Sequence, residues 1–203
     1  TDQQRDLIKS VSLDMWKPYQ NAVKSELPNA EKVHDKFHLV KYLNESIDKV
    51  RRREVANHEV LKMSRYALLK NQENLTDKQK EKFDLIKDSN LQVAKAWHIR
   101  ENFKSLFDYT QNDTDAKTMI KEWAKDAISN GIKEVSKVAE MFIRHINGIA
   151  NALISSFTNA MAERLNGKIQ EVKLCGRGYR RFENFRSAIL FFHGNLDLYP
   201  RNW

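Results

Sequence analysis

From Phe37 to about residue 154 the apolar residues recur at steps of three and four, so most of the 203-residue chain is committed to helices. Val40, Leu43, Ile47 and Val50 begin the stripe. Val60, Met63, Ala67, Leu68 and Leu69 carry it on, consistent with one long helix. The pattern breaks at 70–75, and Thr76-Asp77-Lys78-Gln79 has the form of a capping box for a helix that turns Phe83 and Ile86 inward. Asp88 or Ser89 begins the next helix. Its Leu91, Ala94, Trp97, Phe103, Leu106 and Phe107 supply bulk, the aromatics being core at this spacing rather than base-stacking platforms. Gln111 to Asp115 is a polar turn, and Met119, Ile120, Trp123 and Ala127 mark a helix stopped by Asn130-Gly131. Val135, Ala139, Phe142, Ile146, Ile149 and Leu153 form the cleanest stripe, read as one last helix.

The segment before this body has a different period. Ile8, Val11 and Leu13 alternate with polar residues and predict a short strand ending at Asp14. Pro18 suits the first turn of a following helix with Trp16, Tyr19 and Val23 on one face, ending near Leu27-Pro28-Asn29. Residues 30–34 form a second strand, and Asp35 caps the helix that begins at Lys36. Strand, helix and strand this close together make a parallel unit with a right-handed crossover, which places Asp14 and Asp35 at the same edge. The expected class is α+β and predominantly helical: a partial α/β core of two short parallel strands interrupted by a large all-α insertion. Its parts are 1–36, the insertion 37–154, closing helices 155–194, and a loose tail 195–203.

A formal net charge of +8, from 35 Lys+Arg against 27 Asp+Glu, favours polyanionic partners. The single cysteine, Cys175, excludes an intrachain disulfide framework and fits a reducing cytoplasm; it is expected to be a part-buried, inert thiol. No apolar run approaches the ~20 residues of a membrane span and no leader opens the chain. The start at Thr1 suggests a fragment or processed chain. His34, His58, His98, His145 and His193 lack ligand spacing and are assigned structural or solvated roles. Absence of a Gly-rich phosphate loop or nucleophile elbow removes nucleotide hydrolysis and acyl transfer.

Residues 155–186 read as a helix, a basic glycine-containing turn and a second helix. Met161, Leu165, Ile169 and Val172 form an apolar spine, while Asn159, Glu163, Asn166 and Gln170 lie on a separate stripe. Lys173, Arg177, Arg180 and Arg181 cluster around Gly176 and Gly178, a pattern suited to phosphates, as is Arg51-Arg52-Arg53. Phe182, Phe185, Ile189 and Leu190 mark the closing helix.

The run N-A-M-A-E-R-L-N-G-K-I-Q with G-R-G-Y-R-R-F-E-N-F-R resembles the C-terminal signature of bacterial insertion-sequence transposases of the ISL-three type. So, in order, do V-S-L-D-M-W, the L-P-N-A-E-K-V-H-D-K-F-H-L-V block, and Asp48 with V-R-R-R-E. The resemblance implies an RNase H-like core interrupted by helices, with Asp14 and Glu163 as second and third acids of an Asp-Asp-Glu triad. It also implies Mg²⁺ or Mn²⁺ on those carboxylates, DNA as partner, a homo-oligomer, and a bacterial, nucleoid-associated location. Asp35 and His38 match the D-x-F-H block, placed near the core without an assigned role; Asn159 and Asn166 flank Glu163. The first triad aspartate has no counterpart, Asp2 and Asp6 being too close to Asp14, so this piece alone is expected neither to cut nor to join DNA. The alternative is a non-enzymatic basic helical module for nucleic-acid binding or dimerisation.

Overall fold

The computed structural model describes residues 2–155 and 160–194, with side chains in the last segment from Arg164 onward. A short helix α1 (Asp2–Asp6), unforeseen in the sequence, precedes strand β1 (Ser10–Leu13). Helix α2 (Lys17–Glu26) carries Pro18 in its first turn, and strand β2 (Glu31–His34) follows. The strands pair in parallel, Ser10 opposite Glu31 and Leu13 opposite His34, so both end at one edge. Asp14 and Asp35 are the next residues on each strand, as expected. β1 starts at Ser10 rather than Ile8, because Ile8 N–H closes a turn on the Arg5 carbonyl instead of joining the ladder.

Helix α3 (Lys36–Glu54) begins where the Asp35 carboxylate accepts the Phe37 N–H, and it buries Leu39, Leu43, Ile47 and Val50. It does not run on to Leu69. After Glu54 the chain makes a 3-10 turn at Glu59–Leu61, places Met63 in the left-handed region at φ 57° with its side chain 93% exposed, and re-enters helix as α4 (Arg65–Leu69). The capping box at Thr76 and Gln79 forms as read and starts α5 (Asp77–Lys87), which buries Phe83 and Ile86.

Helix α6 (Gln92–Tyr109) begins three residues after Ser89, not at Asp88 or Ser89. Its start is set from a distance: the Glu54 carboxylate accepts the N–H groups of Gln92 and Val93 at 3.0 and 2.9 Å. A cap supplied from the end of α3 leaves no local mark beside residue 92. Helix α7 (Asp113–Ser129) is capped by Asn112 and stops at Gly131 with φ 68°. The rings of Phe103, Trp123 and Phe142 meet at centroid distances of 4.8, 5.0 and 5.6 Å, and Trp123 Nε1–H donates to the Ile99 carbonyl, confirming these aromatics as core.

The last stripe is two helices, α8 (Lys133–Arg144) and α9 (Ile146–Ile154), broken at His145 (φ −111°, ψ 21°). α8 buries one stripe, but α9 buries Gly148, Ile149, Ala150, Ala152 and Leu153, because it packs on β2 as well as on α7. A straight continuation would offer only one face to the core; the break turns the chain back to the sheet. Gly148 lies against the His34 ring so closely that a Cβ there would sit 2.6 Å from the ring Cδ2, and Asn151 Nδ2–H donates to the Lys32 carbonyl at 2.9 Å.

A second unit begins at residue 158. Helix α10 (Ala160–Cys175) and helix α11 (Phe182–His193) flank the expected basic turn. Gly178 N–H bonds to the Lys173 carbonyl and Arg177 N–H to that of Leu174, the paired bonds of a Schellman ending. Within the spine Val172 is buried and accepts from Tyr179 OH through its carbonyl, whereas Leu165 is 49% exposed; the Met161 side chain lies outside the described residues. Cys175 is exposed rather than part-buried, standing at the last position of α10. Residues 195–203, read as a tail, also lie outside the described residues.

Candidate functional site

His38 and Tyr42 of α3 meet Asp14 just past the end of β1, and Asp35, the N-cap of α3, lies beside His38. Asp35, His38 and Tyr42 are spaced by three and four, so the N-terminal turns of α3 present them together. His38 stands between the aspartates, its Nδ1 3.8 Å from Asp14 Oδ2 and its Nε2 3.8 Å from Asp35 Oδ2. Asp14 Oδ1 accepts the Met15 N–H at 2.6 Å and the Tyr42 hydroxyl at 3.3 Å, fixing the carboxylate with Oδ2 toward the imidazole. Burial raises the Tyr42 pKa, and the charge and hydrogen bond of Asp14 raise it further, so the phenol remains the donor. Asp35 is buried and holds the α3 cap, whereas Asp14 keeps 28% of its side chain exposed.

Beneath the edge, His34 is buried and its pKa is lowered to about 4, chiefly by desolvation, so it is neutral at neutral pH. Its Nδ1 faces the Leu13 carbonyl at 3.4 Å, and its ring meets His145 edge-on at 5.5 Å, the structural role expected for both. Trp16 and Tyr19, directly after Asp14, are both more than half exposed and stack edge to face at 4.8 Å.

Among the described residues no group of three or more His, Cys, Asp or Glu is arranged to hold a metal ion. Asp14 nevertheless suits one ligand of such a site. It offers a hard, part-exposed carboxylate oxygen, and Mg²⁺ takes one or two carboxylates and retains waters. Glu163 belongs to α10, but its side chain, like all of Asn159, lies outside the described residues; Asn166 and Gln170 are exposed.

The two basic clusters differ. Arg51-Arg52-Arg53 is not a bare phosphate patch. Arg51 Nε reaches Asp48 Oδ1 at 2.9 Å, Arg52 reaches Oδ2 at 2.6 Å, and Arg53 clamps Glu134 at 2.8 Å and bonds Gln92. Burial pushes the Asp48 pKa up, but the bonds from Arg51 and Arg52 outweigh it and hold the carboxyl below its ordinary value. Arg65 of α4 adds a third guanidinium at 3.6 Å. Lys173, Arg177, Arg180 and Arg181, by contrast, are all exposed, and none has an acidic partner among the described residues. Arg177 stands at φ 52°, where glycine sits without strain.

Sequence reasoning passed over Tyr42, Arg65 and Glu54. Tyr42 was legible as the position four after His38. Arg65 and Glu54 act across turns that no local pattern encodes.

The family model described as a transposase, of the ISL3-type DDE group, matches residues 1–189. The chain is similar to the transposase for insertion sequence element IS1001 of Bordetella parapertussis, 30% identical over 186 residues that cover 88% of this chain and 46% of that protein. It is similar also to the transposase for IS1557 of Mycobacterium tuberculosis, 25% identical over 201 residues, covering 85% of this chain and 45% of that protein. The chain thus spans slightly less than half the length of these relatives, and no solved structure matches it. With the family match running from the first residue into α11, this chain belongs to the ISL3-type DDE transposases.

Proposed function

We propose that the chain is the C-terminal part of a transposase that cleaves and joins DNA at insertion-sequence ends, and that Asp14 and Glu163 are two of its three catalytic carboxylates. The observation that carries this is the part-exposed Asp14 carboxylate at the carboxyl edge of a parallel strand pair, the place where open α/β sheets bind ligands. In this reading β1, α2 and β2 belong to an RNase H-like core, residues 37–154 are inserted into it, and α10 carries Glu163. Mg²⁺ or Mn²⁺, when bound, activates the attacking hydroxyl and neutralises the leaving oxygen. The chain's own residues hold and orient: Met15 N–H and Tyr42 OH fix Asp14 Oδ1, leaving Oδ2 for the ion, and His38 keeps Asp14 and Asp35 apart. The first acid comes from outside this chain, so the chain alone has no turnover. The active form is a homo-oligomer on DNA in the bacterial cytoplasm.

The test is transposition of a marked element by the full-length protein containing this chain. Asp14→Asn and Glu163→Gln should each lower the frequency by about a thousandfold, the loss of roughly 4 kcal/mol of transition-state stabilisation, while DNA binding persists. Near-normal transposition by either variant refutes the assignment. Turnover by the isolated chain in a nicking assay with Mg²⁺ or Mn²⁺, abolished by Glu163→Gln, refutes its dependence on an outside acid.

A second reading, a basic module that binds nucleic acid without chemistry, draws on one observation. Arg177 is kept in a backbone conformation that costs a non-glycine residue energy, with three more exposed cations around it. Under that reading both carboxylate variants transpose normally.

A further inference from the structure

We infer that the face of α3 carrying Lys41, Lys49 and Arg52, with Arg65 of α4, binds the backbone of a single DNA strand, and that Asp48 is the buried residue that aims the two arginines. The inference takes DNA as ligand from the function proposed above. These residues line a cavity of about 400 Å³ between α3 and α4, where among the described residues the lining holds four cations and two acids, Glu45 and Asp48. Asp48 is 5% exposed, and its Oδ2 holds Arg52 at 2.6 Å and Arg65 Nε at 3.6 Å. Each of those contacts engages one nitrogen of a guanidinium, which leaves most of its N–H donors for a ligand. Arg52 and Arg65 are accordingly 67% and 52% exposed at the side chain, whereas Arg51, on Asp48 Oδ1, is at 14%.

The spacing selects a polymer over a mononucleotide. From Lys41 to Arg52 the helix rises about 16 Å at ~1.5 Å per residue. A stacked strand places a phosphate about every 3.4 Å along its axis, so the row spans several nucleotides. The apolar floor selects a single strand over a duplex. Phe37, Val40 and Leu69 line the same cavity, and the Phe37 ring is 62% exposed, open for an unpaired base to stack. Phe37 also touches His38 edge-on at 5.5 Å, so the row leads from the arginines to the Asp14 edge.

The experiment is anisotropy of a labelled oligothymidylate against the chain over a salt series. Arg52→Gln with Arg65→Gln should weaken binding and flatten the slope of log K against log salt by about 1.4, two contacts at ~0.7 each. Lys41→Gln with Lys49→Gln should do the same, and this pair cannot act by unfolding, since both lysines are exposed without a partner among the described residues. Glu45→Gln should tighten binding, an effect no damaged fold produces. Unchanged affinity and slope in both double variants, weaker binding by Glu45→Gln, or losses confined to a duplex of the same length would each overturn the inference. If transposition survives Asp14→Asn while the arginine pair loses the strand, the catalytic assignment fails and the groove stands.

Discussion

Replacing Gly148 by alanine separates two opposed effects by sign. In a helix interior alanine is favoured over glycine by about 0.8–1.0 kcal/mol, so propensity alone predicts stabilisation. The structure predicts the reverse. An added Cβ would sit 2.6 and 2.7 Å from Cδ2 and Nε2 of His34, a ring that is 4% exposed, hydrogen-bonded toward the Leu13 carbonyl and stacked on His145. A Cβ at those distances cannot be accommodated in place, so either the buried ring or α9 must shift. Overpacking of this kind costs about 1–3 kcal/mol, and a displaced ring forfeits a further ~1 kcal/mol of hydrogen bonding. The net expectation is a loss of about 1–3 kcal/mol, read as a lower urea midpoint with an unchanged slope and a melting temperature reduced by several degrees. Gly148→Ala combined with His34→Ala should recover the propensity gain relative to His34→Ala alone. A stabilised Gly148→Ala would refute the close approach of α9 to β2.

Stability should also fall with acid through His34. Its folded pKa of about 4 lies below the ordinary ~6.5, so between those values the unfolded chain binds more protons. Stability is full above about pH 6.5, drops by about 3 kcal/mol on the way to pH 4 and then levels off; urea titrations of His34→Gln should lack this slope. Arg100 is 3% exposed and donates to Asn44 Oδ1 at 2.7 Å and the Leu68 carbonyl at 2.9 Å, so Arg100→Met should cost about 2 kcal/mol by orphaning that carbonyl, measured by urea unfolding. Arg177→Gly should relieve the left-handed strain by about 1 kcal/mol, seen as greater hydrogen-exchange protection at the Gly178 amide, while DNA affinity falls.

The elements whose signals are local were legible. Asp35 and Thr76 cap the helices that follow them, Gly131 stops α7, and the parallel pair with its two aspartates could be placed from alternation and spacing. What escaped depends on residues distant in the chain. The start of α6 is fixed by Glu54, and the stripe from Val135 to Leu153 hides a bend because periodicity cannot show that its second half lies between a sheet and a helix. At the site, Asp14 and Asp35 were placed from the strand ends and His38 from a resemblance; that His38 lies between them follows from α3 starting directly at Asp35. The basic run shows both kinds of partner: Asp48 lies three and four residues before Arg51 and Arg52 on the same helix and was within reach of spacing alone, whereas Arg53 meets Glu134 only once α3 packs on α8.

A two-stranded sheet is too small to hold itself together in water. Here β2 is clasped at both ends of the excursion, by α3 leaving it directly and by α9 coming back onto it through Gly148 and Asn151. Chimeras between relatives should therefore exchange residues 10–154 as a block, since a junction placed at the apparent seam near residue 36 would strip the strand that leads into Asp35 of the helix that braces it.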